Sequence, residues 1–383
     1  MEIMMRRLLL LLLALGLVVA ACAEEDEDIA DEPDDDEEEP VDDEDDEDDE
    51  DDEDDPDDDD PEDDAPDEDE EDAAAEPGED WPDEITLTLT PSQDAQALID
   101  DAEPLAEALE ESLGIEVESQ VPTDYAGVIV ALGSGEADVS GGLGPVQMTQ
   151  AEDDAGANLI LQSERFGEYV YVSQWFTNDP DTYCEDEPVD VPYEEDGEEY
   201  SMLFCNGVDE AEDSEAGPIG EDALANADGA TMAYVEEGST SGFVYPALQL
   251  LEAGLDPMED VEPLFAGGHD NAVTAVYEGD ADLGVSYNDA REDEVDVFDD
   301  VGEETVVFAW SDPIPNDGFA VNSQLPEDLQ DAITQALLDF ADDPDGQETL
   351  DNLYNIDGLT EVDEEAFDVI RAAREELDDI IDE

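Results

Sequence analysis

One tract limits where this chain can fold, because residues 24–80 are almost entirely Asp and Glu with scattered Pro and Ala. Such a tract cannot bury enough apolar surface to offset the conformational entropy lost on ordering. We therefore predict a disordered acidic tether over residues 23–83, stretched by self-repulsion, with folding beginning near Trp81. Calcium binding by the tract and non-specific counterion condensation both fit its composition.

The charge balance excludes some partners and suggests an environment. The formal net charge is -119, from 125 acidic residues against six arginines and no lysine. This balance argues against binding to nucleic acid or to an anionic membrane surface, since both need basic side chains. An acidic, lysine-free fold is typical of a halophilic protein, because the Debye length falls to about 3 Å at 1 M salt and self-repulsion is screened.

The first 22 residues have the pattern of an export signal. Arg6 and Arg7 precede a leucine-rich run, which ends in Val19-Ala20-Ala21-Cys22. This ending resembles the bacterial lipobox, in which the cysteine is lipidated and becomes the first residue of the mature chain. Ordinary signal cleavage beside an incidental cysteine is the alternative. Export permits a disulfide between the two remaining cysteines, Cys184 and Cys205, although two free thiols are also possible.

Beyond Trp81, strand-like and helix-like segments alternate. The spacing predicts an α/β fold with a parallel sheet and crossover helices. Pro104 is expected to kink or divide one early helix. Residues 178–220 lose this periodicity and contain both cysteines, so we predict a stapled surface insertion there.

A short turn between a strand and a helix suits an oxyanion. Residues 230–235 read as a buried strand, residues 238–242 are Gly-Ser-Thr-Ser-Gly, and the following helix stops at Gly254. The first N–H groups of a helix lack partners within it, and hydroxyls add neutral donors. The alternative is that the Ser-Thr-Ser turn merely caps the helix, since these residues are preferred N-caps.

Four segments, in order, carry a family resemblance. They are Pro122-Thr123-Asp124-Tyr125-Ala126-Gly127; Gly238 to Gly242; Gly267-Gly268-His269-Asp270 with Gly279-Asp280-Ala281-Asp282; and Ser311-Asp312-Pro313-Ile314-Pro315-Asn316-Asp317. Together they resemble the phosphate/phosphite/phosphonate solute-binding proteins of ABC importers, the phosphonate-binding periplasmic protein family. The resemblance extends from about residue 85 to about residue 355.

The resemblance implies a fold similar to type II periplasmic binding proteins, with two α/β lobes, a ligand cleft and two crossing strands. Residues 84–172 and 316–383 would then form lobe 1, and residues 173–315 would form lobe 2 with the insertion. The crossings would be residues 169–176 and 315–321.

The resemblance also implies the binding residues. A phosphorus oxyanion would be held by hydroxyls and one imidazole: Tyr125, Tyr169, Ser239, Thr240, Ser241 and His269. In phosphonate binders two carboxylates hold the ammonium of an aminoalkyl tail, and the matching residues here are Asp289 and Asp317. From the residues alone, the tyrosines could be packing residues, His269 a structural histidine, and each aspartate a solvated charge.

The chain departs from the family in one loop. Many relatives carry an aromatic residue before the glycine of the third-strand loop and a hydroxyl or tyrosine after it. Here residues 143–148 read Leu-Gly-Pro-Val-Gln-Met, so we expect a less polar wall there. We also expect a site without Lys or Arg, in which oriented N–H and O–H groups hold the anion.

The resulting hypothesis is a lipid-anchored receptor on the extracytoplasmic face of the cell membrane. It would capture a phosphonate, phosphite or phosphate and deliver it to an ABC permease, as a monomer without cofactor. No nucleophile–base pair or phosphate loop with lysine suggests an enzyme, and one histidine excludes a multi-histidine metal site. The alternatives are a binding protein of the same fold for another small anion, or an acidic surface interaction protein.

Overall fold

The structure is a computed structural model that describes residues 77–381 except Glu79, Asp196 and Glu212, and the side chains of residues 378–381 are not described. The predicted signal segment, Cys22 and most of the predicted tether lie outside the described residues. The first strand begins at Glu84, three residues after the partly buried Trp81.

Six strands form the sheet of the first lobe, in the order β15–β4–β14–β3–β1–β2. Their bounds are β1 Glu84–Leu89, β2 Glu116–Gln120, β3 Val139–Leu143, β4 Asn158–Glu164, β14 Gly318–Val321 and β15 Gly358–Glu361. Ile85, Leu87 and Leu89 alternate with threonines in β1, and all three apolar side chains are fully buried.

Seven strands form the sheet of the second lobe, in the order β10–β9–β11–β6–β12–β8–β7. Their bounds are β6 Ser173–Thr177, β7 Val189–Glu195, β8 Glu198–Phe204, β9 Thr231–Tyr234, β10 Glu262–Phe265, β11 Leu283–Tyr287 and β12 Val306–Trp310. A third, two-stranded sheet pairs β5 Val170–Tyr171 with β13 Ile314–Pro315, where the chain passes between the lobes.

The two large sheets are mixed, so the prediction of a parallel sheet was only partly right. β1 pairs in parallel with β2 and β3, and β9 pairs in parallel with β10 and β11. The strands adjoining the two chain passages run the other way: β14 is antiparallel to β3 and β4, and β6 is antiparallel to β11 and β12. The strands by which the chain enters the second lobe and returns to the first are therefore the ones that run against their neighbours.

Helices cover the sheets. Their bounds are α1 Ala95–Asp101, α2 Glu103–Leu113, α3 Tyr125–Ser134, α4 Pro145–Asp153, α5 Pro180–Tyr183, α6 Tyr245–Ala253, α7 His269–Tyr277, α8 Val301–Glu304, α9 Glu327–Asp342, α10 Pro344–Tyr354 and α11 Asp368–Ile381. Pro104 divides α1 from α2, as expected for a residue that cannot donate within a helix. No helix among the described residues is long and apolar enough to cross a membrane.

The C-terminal helix joins the two lobes. Ile370 and Leu377 of α11 are buried in an apolar cluster that also contains Val128 of the first lobe and Phe243 of the second. Arg371 forms an ion pair with Glu152 of α4. The prediction assigned residues 316–383 to lobe 1, whereas this helix packs against both lobes.

The cysteine-bearing segment differs from its prediction. Instead of an aperiodic surface insertion, residues 178–220 contain the β7–β8 hairpin, which extends the second sheet. The signal was an Asp-Gly pair between Glu195 and Glu198, which is typical of a tight hairpin; Gly197 has a φ of 81°. The acidic residues on both sides of this turn interrupt the alternation of apolar and polar residues in the two strands. The disulfide Cys184–Cys205 is present, with 5.7 Å between the Cα atoms.

Candidate functional site

A cavity of about 890 Å³ lies between the two lobes, lined by residues of both. Most of the predicted site residues line it: Tyr125, Ser239, Thr240, Ser241, His269, Asp289 and Asp317. Tyr169 is absent from the lining. The topology explains the convergence, because the loops that follow parallel strands meet at the same edge of each sheet.

Two hydroxyls of the Ser-Thr-Ser turn have different hydrogen-bond partners. Ser239 caps the helical segment that begins at Thr240, its Oγ accepting from the backbone N–H of Gly242 at 3.1 Å. Thr240 Oγ1 accepts from the backbone N–H of Val146 in the other lobe at 2.9 Å. All three hydroxyl-bearing residues are nearly fully buried. The capping interpretation therefore holds for Ser239, while Thr240 joins the lobes.

The helix begins irregularly. Residues Thr240–Val244 form one π-helical turn before α6 starts at Tyr245, which places Pro246 in the first α-helical turn, where it is tolerated. Gly242 has no room for a side chain, since an added Cβ would lie 2.4 Å from Val235 Cγ2. A Cβ at Gly238 would lie 3.2 Å from Tyr125 Cβ, so both glycines of the turn permit close packing.

Tyr125 begins α3 and is buried at the cavity. Burial and the nearby Glu236 carboxylate raise its pKa well above the usual value for tyrosine, so its hydroxyl stays a neutral donor. Its backbone N–H donates to Glu236 Oε2 of the second lobe at 3.0 Å. Asp124 caps the same helix by accepting from Gly127 N–H at 2.7 Å.

His269 opens α7 and is also buried. Burial, reinforced by the charge of Arg165, lowers its pKa to about 3, so the imidazole is neutral at physiological pH. Its Nδ1 lies 2.7 Å from Ser286 Oγ, and its backbone N–H donates to Ser92 O of the first lobe at 2.9 Å. The imidazole therefore has a fixed orientation and one ring nitrogen, Nε2, without a bond to the described residues.

The structure does not bring Tyr169 to the cavity. Its side chain is nearly half exposed, and its hydroxyl donates to Glu164 at 2.9 Å. Strand pairing starts only at Val170, so the alternation of the crossing strand does not extend to Tyr169. Tyr171 lines the cavity instead. Burial raises the pKa of Tyr171, and the Ser241 hydroxyl and the Arg165 guanidinium oppose part of that rise.

Asp289 forms an ion pair with Arg291, a residue that the sequence analysis did not assign to the site. Its carboxylate accepts from Arg291 Nε at 2.9 Å and Nη2 at 2.6 Å, and from Gln174 Nε2 at 2.6 Å. Burial acts to raise the pKa of Asp289, but the Arg291 guanidinium and these hydrogen bonds outweigh it and lower the pKa. Arg291 itself is fully buried and also donates to the carbonyls of Leu203 and Thr305.

Asp317 has its own arginine. Arg165 Nη2 lies 2.9 Å from Asp317 Oδ2, and their side chains are 14% and 9% exposed. Burial raises the pKa of Asp317, and the Arg165 guanidinium opposes part of that rise. The expectation of a site without Lys or Arg was wrong, because Arg165 lines the cavity. Each of the two carboxylates is paired with a guanidinium group, so they are not the bare acidic pair that would need the ammonium of an aminoalkyl tail.

The divergent loop supplies one polar residue to the cavity. Val146 and Met148 point into the apolar core, while Gln147 lines the cavity and accepts from Gly144 N–H at 3.1 Å. Gly142 has a φ of 65°, and a Cβ there would lie 2.3 Å from the ring of Tyr354. The amide oxygen of Gln147 also accepts from the Thr90 hydroxyl at 3.3 Å, so the loop presents to the cavity an amide whose oxygen is already hydrogen-bonded.

Sequence reasoning missed Tyr171, Glu236, Arg165 and Arg291. The two arginines could have been found from the composition. The chain has only six arginines against 125 acidic residues, and Arg165 and Arg291 are far in the sequence from the other four. No group of His, Cys, Asp and Glu that could hold a metal ion is found among residues 77–381 as described.

Comparisons with known proteins agree with this architecture. The family model described as "ABC transporter, phosphonate, periplasmic substrate-binding protein" matches residues 87–367. The chain is 26% identical over 263 residues to the phosphate-import protein PhnD of Mycolicibacterium smegmatis, covering 67% of this chain and 71% of that protein.

Two solved structures share the fold. One is a binding protein component of an ABC phosphonate transporter from Pseudomonas aeruginosa, with a TM-score of 0.62 and 18% identity, covering 77% of this chain and 86% of that one. The other is PhnD1 from Prochlorococcus marinus in complex with methylphosphonate, with a TM-score of 0.62 and 15% identity. The match covers 77% of this chain and 98% of that one. The predicted type II periplasmic-binding-protein fold with two α/β lobes is confirmed. The family model spans most of the folded region, and the chain belongs to the periplasmic substrate-binding proteins of phosphonate ABC transporters.

Proposed function

We propose that this protein is the lipid-anchored receptor of an ABC importer, and that it captures a phosphorus oxyanion in a high-salt environment. The observation that carries the ligand class is the convergence of neutral donors on one buried cavity. The hydroxyls of Tyr125, Tyr171, Thr240 and Ser241 and the neutral imidazole of His269 line it together. Phosphate import by the mycobacterial relative and methylphosphonate binding by the Prochlorococcus protein support the same class.

The neutral donors can hold an anion without adding countercharge. Hydrogen bonds to an ionised acceptor are stronger than those between neutral groups, and an enclosed site strengthens them further. For His269 to contribute, Ser286 must donate its hydroxyl proton to Nδ1, which leaves the ring proton on Nε2. Arg165 adds one positive charge to the cavity wall, partly balanced by Asp317.

The anchor and the salt requirement rest on sequence. Val19-Ala20-Ala21-Cys22 resembles a lipobox, and the acidic tract after it would space the lobes from the membrane. A net charge of -119 needs screening, which concentrated salt supplies.

Titration calorimetry on the mature chain in concentrated KCl tests the proposal. The ligands are phosphate, phosphite, methylphosphonate and 2-aminoethylphosphonate, with methanesulfonate as an anion of similar shape. We expect saturable binding of at least one phosphorus ligand at one site per chain, with methanesulfonate weaker. Binding of methanesulfonate alone would favour another small anion, and no binding at all would favour an acidic interaction protein.

A further inference from the structure

The disulfide-bearing insertion supplies part of the cavity wall. Tyr193 and Glu195, near the tip of the β7–β8 hairpin, line the cavity, and β8 attaches the hairpin to β12 of the second lobe. The tip lies near α10 of the first lobe. Burial raises the pKa of Asp351 in that helix, and the charges of Asp357 and Glu195 add to the rise. Carboxylates of the two lobes therefore face each other at this end of the cavity.

The turn after β11 reaches the first lobe directly. Asp293 Oδ1 accepts a hydrogen bond at 3.4 Å from Nδ2 of Asn355, the residue that caps the C-terminus of α10. The other oxygen, Oδ2, accepts from the hydroxyl of Tyr287. The ring of Tyr287 lies against the imidazole of His269, with 4.7 Å between the ring centroids. One carboxylate therefore links a donor of the anion site to the opposite lobe.

The carboxylates of this turn, Glu292 and Asp293, form no ion pair with an arginine among the described residues. Arg291 and Arg165 both act on the turn, but each forms its ion pair with a different carboxylate. The other titratable groups around the turn come from the hairpin, β11, α7, the turn itself and α10: Tyr193, Glu195, Tyr287, Asp270, Asp289, Glu294 and Asp351. All of these are acids, so they bring no positive charge to the turn when the lobes meet.

Unpaired carboxylates at a contact between lobes oppose that contact unless they are protonated. Burial, followed by the charge of Asp289, raises the pKa of Glu292 to about 8. Burial also raises the pKa of Asp293, although the hydrogen bonds from Tyr287 and Asn355 oppose the rise. Separating the lobes would break the Asn355 bond and return water to the turn, which moves both pKa values back towards about 4. The joined lobes therefore hold a proton that the separated lobes release.

We propose that the Glu292–Asp293 turn and the hairpin tip form a proton-dependent latch against α10, so that capture of the ligand takes up a proton. The inference rests on the proposed function, because a ligand held by donors of both lobes requires the lobes to meet. The pKa is higher in the joined form, so affinity is greatest at low pH. Affinity should fall by up to about tenfold per pH unit and level off above the pKa of the joined form, about 8.

The experiment is titration calorimetry in concentrated KCl with inorganic phosphate and methylphosphonate on the mature chain, at several pH values from about 5.5 to 8.5. Each titration is run in two buffers of different ionisation enthalpy, because the difference in heat counts the protons taken up. The parent is compared with Glu292→Gln, a neutral isostere, at each pH, so that the ionisation of the ligand cancels. Glu194→Gln is the matched control, since Glu194 lies on the same hairpin, is exposed and does not line the cavity.

We expect the parent and Glu194→Gln to take up more protons than Glu292→Gln, by about half a proton to one proton near pH 7. The affinity of Glu292→Gln relative to the parent should grow by at least about tenfold from pH 5.5 to 8.5, a gain that misfolding cannot produce. Asp351→Asn removes a negative charge from the opposite lobe and should reduce the proton uptake. This change separates a contact between lobes from burial within the second lobe alone.

Two results would overturn the inference while leaving the proposed function intact. One is equal proton uptake by the parent and Glu292→Gln, which would show that the second lobe holds the proton whether or not ligand is bound. The other is a ratio of their affinities that does not change with pH. Failure of the parent to bind phosphate, methylphosphonate or any other phosphorus ligand would instead overturn the proposed function, and the inference with it.

Discussion

Glu236 Oε2 accepts a hydrogen bond from the backbone N–H of Tyr125 across the cleft, with 3.0 Å between oxygen and nitrogen. The carboxylate belongs to the second lobe and the N–H opens α3 of the first, so the bond places a negative charge at a helix N-terminus. Together with Val146 N–H to Thr240 Oγ1 and His269 N–H to Ser92 O, it ties the two lobes together around the cavity.

Glu236 does not line the cavity, so it is expected to hold the two lobes together rather than to contact ligand. Glu236→Ala removes a charged acceptor and should weaken the binding of every ligand by about tenfold to a hundredfold, in line with about 1.5–3 kcal/mol for a hydrogen bond to a charged group. The loss should appear mainly as faster dissociation in stopped-flow measurements. The neighbouring exposed Glu237 offers a matched control, and Glu237→Ala should be neutral. An unchanged dissociation rate in Glu236→Ala would contradict this role.

Thr240 and Ser241 should carry affinity for the oxyanion. Thr240→Ala loses both a candidate ligand donor and the acceptor for Val146 N–H, and Ser241→Ala loses a hydroxyl beside Tyr171. Each should cost about 1.5–3 kcal/mol of binding free energy. Thr240→Ser keeps the hydroxyl and should bind within a few-fold of the parent in calorimetry. If both alanine variants bind all ligands as the parent does, the anion site lies elsewhere.

The disulfide Cys184–Cys205 closes a loop with a sequence separation of 21 at one end of the second sheet. Replacing both cysteines by serine should lower the free energy of unfolding by roughly 3 kcal/mol in the chain-entropy model. Guanidinium denaturation of the parent, the double variant and the reduced parent measures this. Mass spectrometry of protein purified from the cell surface should show no free thiol at these two positions.

Glu292 should make stability depend on pH. Burial, followed by the nearby Asp289 charge, raises the pKa of Glu292 to about 8. The folded state therefore holds this proton more tightly than the unfolded chain, whose glutamates titrate near about 4.3. Its contribution to stability is fully present below the unfolded pKa and is lost as pH rises through the folded pKa.

Between pH 5 and 9 the free energy of unfolding is thus expected to fall, by roughly 1–3 kcal/mol from this group. Glu292→Gln should remove that part of the slope and stabilise the protein at the alkaline end. The exposed Asp299 provides a control of similar charge, and Asp299→Asn should leave the slope in place. A parent whose stability rises steadily over this range would refute the assignment.

Cys22 is expected to anchor the protein. The parent should partition with membranes, and Cys22→Ser should release it or block processing of the precursor. One acyl chain binds membranes only marginally, so mass spectrometry of the mature N-terminus should show more than one chain on this residue. Equal recovery of parent and Cys22→Ser in the membrane fraction would exclude lipidation as the anchor.

The local pattern of the sequence was enough to predict most strands, the division at Pro104, and the segments that form the cleft. These features depend on neighbours in the chain: strand alternation, helical spacing, and a turn of small hydroxyl residues before a helix. The resemblance in four ordered segments added the two-lobed fold, which the comparison with solved structures confirms. The β7–β8 hairpin was missed because its strands are short and rich in acidic residues, which weakens the alternation.

The tertiary structure alone decided which side chains meet. Arg165 and Asp317 are 152 residues apart in the chain, yet they pair because β4 and β14 lie side by side in one sheet. Tyr171 rather than Tyr169 reaches the cavity because strand pairing begins at Val170. Such choices depend on register and on which strands become neighbours, and long-range packing fixes both. The sequence by itself therefore determined the kinds of groups available for an anion, and the fold determined that one guanidinium and its paired carboxylate stand among them.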